Sequence, residues 1–148
     1  MNDQNAAQAP TSRLDHYSIR TTRLAETVKF YIDIMNFEEG FRPAFNFPGS
    51  WLYSGGQAVV HLVGIDPNDP SGLLEYLGDK ATGDMTGTGT IDHVAFAATG
   101  LADMRRRLAA TETPFRERTV PTLSLHQVFF EDPNGVTIEL NYPAAEIG

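Results

Sequence analysis

Leu14-Asp15-His16-Tyr17-Ser18-Ile19 returns 77 positions later as Ile91-Asp92-His93-Val94-Ala95-Phe96. At the same offset Thr22 meets Thr99 and Leu24-Ala25 meets Leu101-Ala102, and at an offset of 78 Val60-His61-Leu62 meets Ile138-Glu139-Leu140. An internal repeat, where one exists, decides the architecture before any local pattern is weighed. Each half reads apolar-Asp-His, then a helix, then a second ionisable residue 45 or 46 positions beyond its histidine.

Local patterns fill in the same plan twice: a strand, a helix and three strands. Residues 14–20 alternate in polarity as a half-buried strand does. Thr22 is placed to cap a helix over 24–35, where Leu24, Val28, Tyr31, Ile32 and Met35 form an apolar stripe. Strands are expected at 37–41, 50–53 and 58–63, punctuated by Pro43, Pro48 and the Gly55-Gly56 pair. A Pro-, Gly- and Asp-rich linker covers 66–89, with one short helical patch at 73–77. The second half has a strand at 90–97, a helix at 101–110 and strands near 115–117, 125–130 and 136–141. Asp132-Pro133-Asn134-Gly135 makes the turn before the last strand, Pro pre-setting φ and Gly free to take positive φ. The expectation is one α+β domain over 12–144, with a first module over 12–65 and a second over 90–142. Residues 1–11 are expected to be a disordered tail.

Composition narrows the function. A chain of 148 residues holds one domain with a sizeable core. Its net charge of -8 argues against nucleic acid, because phosphate binding needs clustered Lys and Arg. Arg105-Arg106-Arg107 lies inside the second helix and reads as a solvated face. The absence of cysteine excludes disulfides, thiolate nucleophiles and cysteine-bound zinc. No basic segment followed by an apolar stretch opens the chain, and no apolar run approaches the ~20 residues of a membrane span. The expected setting is cytoplasmic, without membrane contact.

Side chains on a strand alternate between faces. Tyr17 and Ile19 oppose His16 and Ser18; Val94 and Phe96 oppose His93 and Ala95; Val136, Ile138 and Leu140 oppose Thr137, Glu139 and Asn141. The apolar sets would cover the helices, leaving His16, His93 and Glu139 on the other face, which a curved sheet turns into a cup. Taken singly, a strand histidine is more often hydrogen-bonded than a ligand, and a strand glutamate is usually solvated. Two imidazoles and a carboxylate on repeat-equivalent strands suit zinc, iron, manganese or nickel.

These segments, together with Phe129-Phe130-Glu131-Asp132-Pro133-Asn134-Gly135-Val136-Thr137-Ile138-Glu139-Leu140, resemble the vicinal-oxygen-chelate superfamily, which includes glyoxalase I, fosfomycin-resistance enzymes, methylmalonyl-CoA epimerase, extradiol dioxygenases and bleomycin-resistance proteins. The resemblance covers roughly residues 13–142. It implies two tandem βαβββ modules forming a curved, mostly antiparallel eight-stranded cup. It also implies one divalent metal held by His16, His93 and Glu139. The family's variable fourth position falls on His61, which reads as a fourth ligand, a general base or a cup-lining residue. A small-molecule substrate and a homodimer are implied too, with each cup closed either within one chain or between His16 and His61 of one chain and His93 and Glu139 of its partner.

The resemblance favours chelation of substrate oxygens and stabilisation of an oxyanion or enediolate in a lyase- or isomerase-type proton transfer. Arg20, four residues after His16, matches a glutathione-binding arginine of some bacterial glyoxalases, but Ile65 stands where those enzymes have asparagine. The alternative is an iron(II) extradiol-type dioxygenase. Phe129 replaces the tyrosine that chemistry expects, and His126 is a stand-in donor, although alternation lets only one of the two face the cup. Neither a potassium loop nor a basic pocket marks fosfomycin-type chemistry. A metal-free drug-binding module is the non-enzymatic reading. In Phe41-Arg42-Pro43-Ala44-Phe45-Asn46-Phe47-Pro48-Gly49-Ser50-Trp51, interleaved Phe and Pro usually mean packing against a dimer partner or under a loop. The functional reading makes the segment, with Trp51, an apolar wall for substrate. Arg20, Arg42 and Arg118 are candidates for gripping a substrate carboxylate or phosphate.

Overall fold

The computed structural model describes residues 13–66, 68–69, 71–72, 74, 86–89 and 91–147. The tail expected over 1–11 and nearly all of the helical patch expected at 73–77 lie outside them. In the first module β1 (Tyr17–Thr21) leads into α1 (Leu24–Asp33), followed by β2 (Glu38–Gly40), β3 (Gly49–Ser54) and β4 (Gln57–Gly64). The second has β5 (Val94–Ala97), α2 (Leu101–Ala110), β6 (Phe115–Val120), β7 (Leu125–Glu131) and β8 (Thr137–Pro143). The eight strands form two four-stranded sheets, one per module, ordered β1-β4-β3-β2 and β5-β8-β7-β6. In each, the strand before the helix runs parallel to the module's last strand, and the other pairs are antiparallel. That parallel pairing is what the helical crossover permits.

Three local expectations are corrected. β1 and β5 begin at Tyr17 and Val94 because ladder pairing starts there, at Tyr17↔Val60 and Val94↔Ile138. Just ahead of β1 the Asp15 carbonyl accepts instead from the Gln57 side chain at 2.6 Å. His16 and His93 therefore stand immediately before their strands. Thr22 does not cap α1: it is exposed, Arg23 occupies the N-cap position, and the Arg23 N–H donates to Thr21 Oγ1 at 2.8 Å. The α1 helix closes through Asn36 at φ 59°, with the Phe37 N–H reaching the Tyr31 carbonyl at 3.1 Å. That bond satisfies a carbonyl of the last turn, and asparagine tolerates the left-handed conformation better than most residues.

The helix-side faces of both sheets join in one core. Ile19, Tyr31, Leu52, Val60 and Leu62 from the first module cluster with Leu101, Leu108, Val128, Ile138, Leu140 and Tyr142 from the second. Each large apolar side chain fully buried there stabilises the fold by about 1.5–3 kcal/mol. Phe96 packs against Tyr17 and Phe37 at ring-centroid distances of 6.3 and 5.7 Å. A polar clasp adds to this join. Asp132 Oδ1 accepts from the backbone of Asn134 and Val136, and Oδ2 accepts from the Tyr31 hydroxyl at 3.1 Å. Asn134 accepts from the Thr21 hydroxyl and donates to Thr27, and Arg23 reaches the Pro133 carbonyl. Gly135 at φ 82° lets the turn close as expected. Among the described residues, no helix is long and apolar enough to cross a membrane.

Candidate metal centre in two halves

The face of each sheet away from the core carries the candidate donors. On the first, register aligns Ser18, His61 and Trp51 across β1, β4 and β3. Three rings stack there. His16 lies 3.7 Å from His61 at 11°, and His61 lies 3.8 Å from Trp51 at 10°. His16 Nδ1 is 2.7 Å from Asp15 Oδ2. A carboxylate only accepts, so Nδ1 holds the proton and Nε2 presents its lone pair. His61 Nε2 donates to the Ala58 carbonyl at 3.1 Å, which leaves Nδ1 as its basic atom. Burial, with His16 alongside, lowers the His61 pKa from its ordinary value, which favours the neutral ring. The hydrogen bond from His16 holds Asp15 below the usual carboxylate value.

On the second sheet the aligned row is Ala95, Glu139, Phe129 and Arg116. Glu139 is only 8% exposed. Its Oε2 accepts from Gln127 at 3.0 Å and Asn141 at 2.9 Å, while Gln127 also donates to Asn141 at 3.0 Å. Its Oε1 lies 3.2 Å from His93 Nε2. Asp92 holds His93 Nδ1 at 2.8 Å, as Asp15 does in the first half, and that bond raises the His93 pKa above its ordinary value. The Asp–His pair is thus repeated in geometry as well as in sequence. So is the aromatic neighbour: Trp51 and Phe129 are 78 positions apart and flank His61 and Glu139 respectively.

The structure brings His16 together with His61, and His93 together with Glu139, but leaves the pairs on separate sheets. Among the described residues of one chain, no three His, Asp or Glu side chains gather as a metal requires. The donors themselves fit a divalent ion of the zinc, nickel, manganese or iron kind. In both Asp–His pairs the aspartate takes Nδ1 and leaves Nε2 as the nitrogen open to an ion, and a carboxylate oxygen lies close to one of them. Two donors sharing an ion at ~2.0–2.2 Å each stand roughly 3.3 Å apart, close to the separation of His93 Nε2 and Glu139 Oε1.

Other candidates divide. Phe129 faces the site and His126 does not: His126 packs toward α2, buried, between Thr119 and Glu117. Alternation along β7 forces that choice. Arg42 donates to the Phe47 carbonyl at 2.9 Å and lies over the Phe45 and Phe47 rings, so it organises the loop before β3. A Cβ at Gly49 would stand 2.8 Å from that guanidinium and 2.4 Å from the Leu62 carbonyl, which explains the glycine. Arg20 lines an inter-module cavity of about 350 Å³ with Ser18 and Val94. Arg118 is exposed, in register with Gln127. Sequence reasoning missed Gln127 and Asn141 as supports of Glu139. Alternation already set Asn141 on the right face, whereas Gln127 requires the register of the closing hairpin.

A duplicated βαβββ plan, with histidine and glutamate side chains on the sides away from the core, defines a class of paired-module proteins. The chain belongs to the Glyoxalase/Bleomycin resistance protein/Dioxygenase superfamily, whose family model matches residues 13–140. It is 26% identical over 131 residues to "Glyoxylase I 4" of Arabidopsis thaliana, covering 86% of this chain and 68% of that protein. Among solved structures it is similar to a glyoxylase/bleomycin resistance protein/dioxygenase domain from Frankia sp. EAN1pec, with a TM-score of 0.67, 18% identity and coverage of 90% and 93% of the two chains. It is also similar to the fosfomycin resistance protein FosX of Listeria monocytogenes, with a TM-score of 0.64, 18% identity and coverage of 89% and 93%. At such identities the structural likeness establishes the fold.

Proposed function

We propose that the protein is a divalent-metal enzyme of the lyase or isomerase kind, acting on a small oxygenated substrate. Its metal is held by His16, His93 and Glu139, with the two halves of each site drawn from two copies of the chain. The observation that carries this reading is the pair of half-sites: each sheet offers two donors on the face away from the core, and neither pair suffices for a metal that takes three or four protein ligands. Leu14 and Ile91, each two residues before its histidine, are 76% and 62% exposed. They supply apolar surface for a second copy to cover.

When bound, the metal supplies Lewis-acid stabilisation of negative charge on substrate oxygens. Asp15 and Asp92 hold the imidazoles in the tautomer that offers Nε2. Gln127 and Asn141 fix one oxygen of Glu139, and Trp51 and Phe129 wall the site against water. His61, neutral and with Nδ1 unprotonated, either accepts a carbon-bound proton or completes the donor set. Two features weigh against oxygen chemistry: Phe129 has no hydrogen to donate, and His126 is turned into the core. The likeness to a protein named a glyoxylase points the same way.

Elemental analysis of protein purified without tag or chelator tests the reading. About one metal per chain is expected, lost in His16→Ala and in Glu139→Ala, because each removes a ligand. No metal after reconstitution with zinc, nickel, manganese and iron would leave a metal-free binding module.

A further inference from the structure

Glu139 shares its face of the second sheet with two arginines. Register pairs Arg116 with Phe129 and Phe129 with Glu139; in the next row it pairs Arg118 with Gln127 and Gln127 with Asn141. Directly opposed residues point to the same side of a sheet, so both guanidinium groups belong to the face of Glu139, two strands across. Glu117, between them on β6, turns the other way and takes Arg105 and His126. The Arg116 guanidinium lies 4.1 Å above the Phe129 ring. Stacking fixes its plane and leaves its N–H edge free to donate.

The helix arginines of the second module are already paired. Arg23, Arg105, Arg106 and Arg107 are each matched with a carboxylate. Among the described residues, Arg116 and Arg118 have no acidic partner, in a chain carrying 19 acidic residues. Both are exposed. Neighbours on one side of a strand stand ~6.7 Å apart, a span that one carboxylate or phosphate bridges by accepting from both forks.

We infer that the substrate carries an anionic group, a carboxylate or a phosphate, held by Arg116 and Arg118 while its reacting oxygens lie at His93 and Glu139. This rests on the reading of Glu139 as part of the reacting centre. Two inter-strand spacings of ~4.8 Å separate the arginine strand from that of Glu139. Phe129 occupies the strand between. The substrate therefore has a short hydrocarbon segment, of aryl or small alkyl size, between its anion and its chelating oxygens.

The test uses full-length protein titrated with phenyl phosphate, benzoate and, as a neutral control, benzyl alcohol. It is read by calorimetry and by the arginine Nε–H resonances. At least one anion binds saturably and shifts Arg116 and Arg118, while benzyl alcohol binds at least tenfold more weakly. Arg116→Gln and Arg118→Gln each weaken the anion about tenfold, the loss of a charge-assisted hydrogen bond. Arg116→Lys recovers part of the loss for phosphate. The better of the two anions identifies the group. Metal content stays at the wild-type level in every variant. Variants that keep anion affinity, or a neutral control that binds equally well, overturn the inference while leaving the metal reading intact. A wild-type protein that takes the anion but no metal supports the arginine anion site and overturns the metal reading, and with it the placement of the chelating oxygens.

Discussion

A histidine offers a metal the nitrogen that carries no proton, and Asp15 and Asp92 settle which nitrogen that is. On the other side of the site Gln127 and Asn141 hold Glu139 Oε2. Outer partners of this kind typically carry 10–100-fold of metal affinity. Asp92→Ala and Gln127→Ala are therefore each expected to weaken metal binding by about 10–100-fold, with unfolding midpoints close to wild type. Competition against a chromophoric chelator reads this, and an unchanged affinity in both would remove these residues from the site. That the candidate donors lie on the sides away from the core was legible from a 77-residue repeat and strand alternation. The Gln127 contact was not, since it depends on hairpin register. His126 and Phe129 posed a choice that only the packing of β7 against α2 could make.

At the scale of elements, the Asp132-to-Gly135 turn does more than reverse the chain. It binds the second module to the first through Tyr31, Thr21, Thr27 and Arg23. Its carboxyl is pushed above the usual 3.8, chiefly by burial, against hydrogen bonds that pull it down. The folded state thus holds this proton more tightly than the unfolded chain. That contribution to stability is complete below the unfolded pKa and is lost as pH rises through the folded one. Asp132→Asn keeps an oxygen for the two backbone N–H groups and cannot ionise. It should flatten that loss, gaining on the wild type as pH rises from about 3.8 toward neutrality. Asp132→Ala leaves those donors unpaired and should cost about 2–4 kcal/mol. Denaturant titrations across that pH range check both; parallel wild-type and Asn profiles would refute the assignment. The turn was legible as a turn, its partners were not, because they lie more than 100 positions away in the chain. Strand starts failed for the same reason: residues 14–16 have strand-like alternation, but no neighbour to pair with.

For the whole molecule, the shared core and the clasp join the modules of one chain back to helix side, and the donor faces are left on separate sheets. Completion by a second copy then has a distinctive signature. A chain carrying His16→Ala and His61→Ala is mixed with one carrying His93→Ala and Glu139→Ala, then unfolded and refolded together. Neither variant alone should bind metal, yet the mixture should, because a mixed dimer unites the intact first module of one chain with the intact second module of the other. A mixture as empty as its components would mean that the site closes within a single chain.

The ring stack on the first sheet has an optical consequence. Trp51 is the sole tryptophan, and it lies flat against His61, one ring away from His16. All of the protein's indole emission therefore originates at this half-site. Protonation of the neighbouring ring, arrival of an ion or entry of a substrate each alters the surroundings of that one fluorophore, so occupancy can be followed in unlabelled protein.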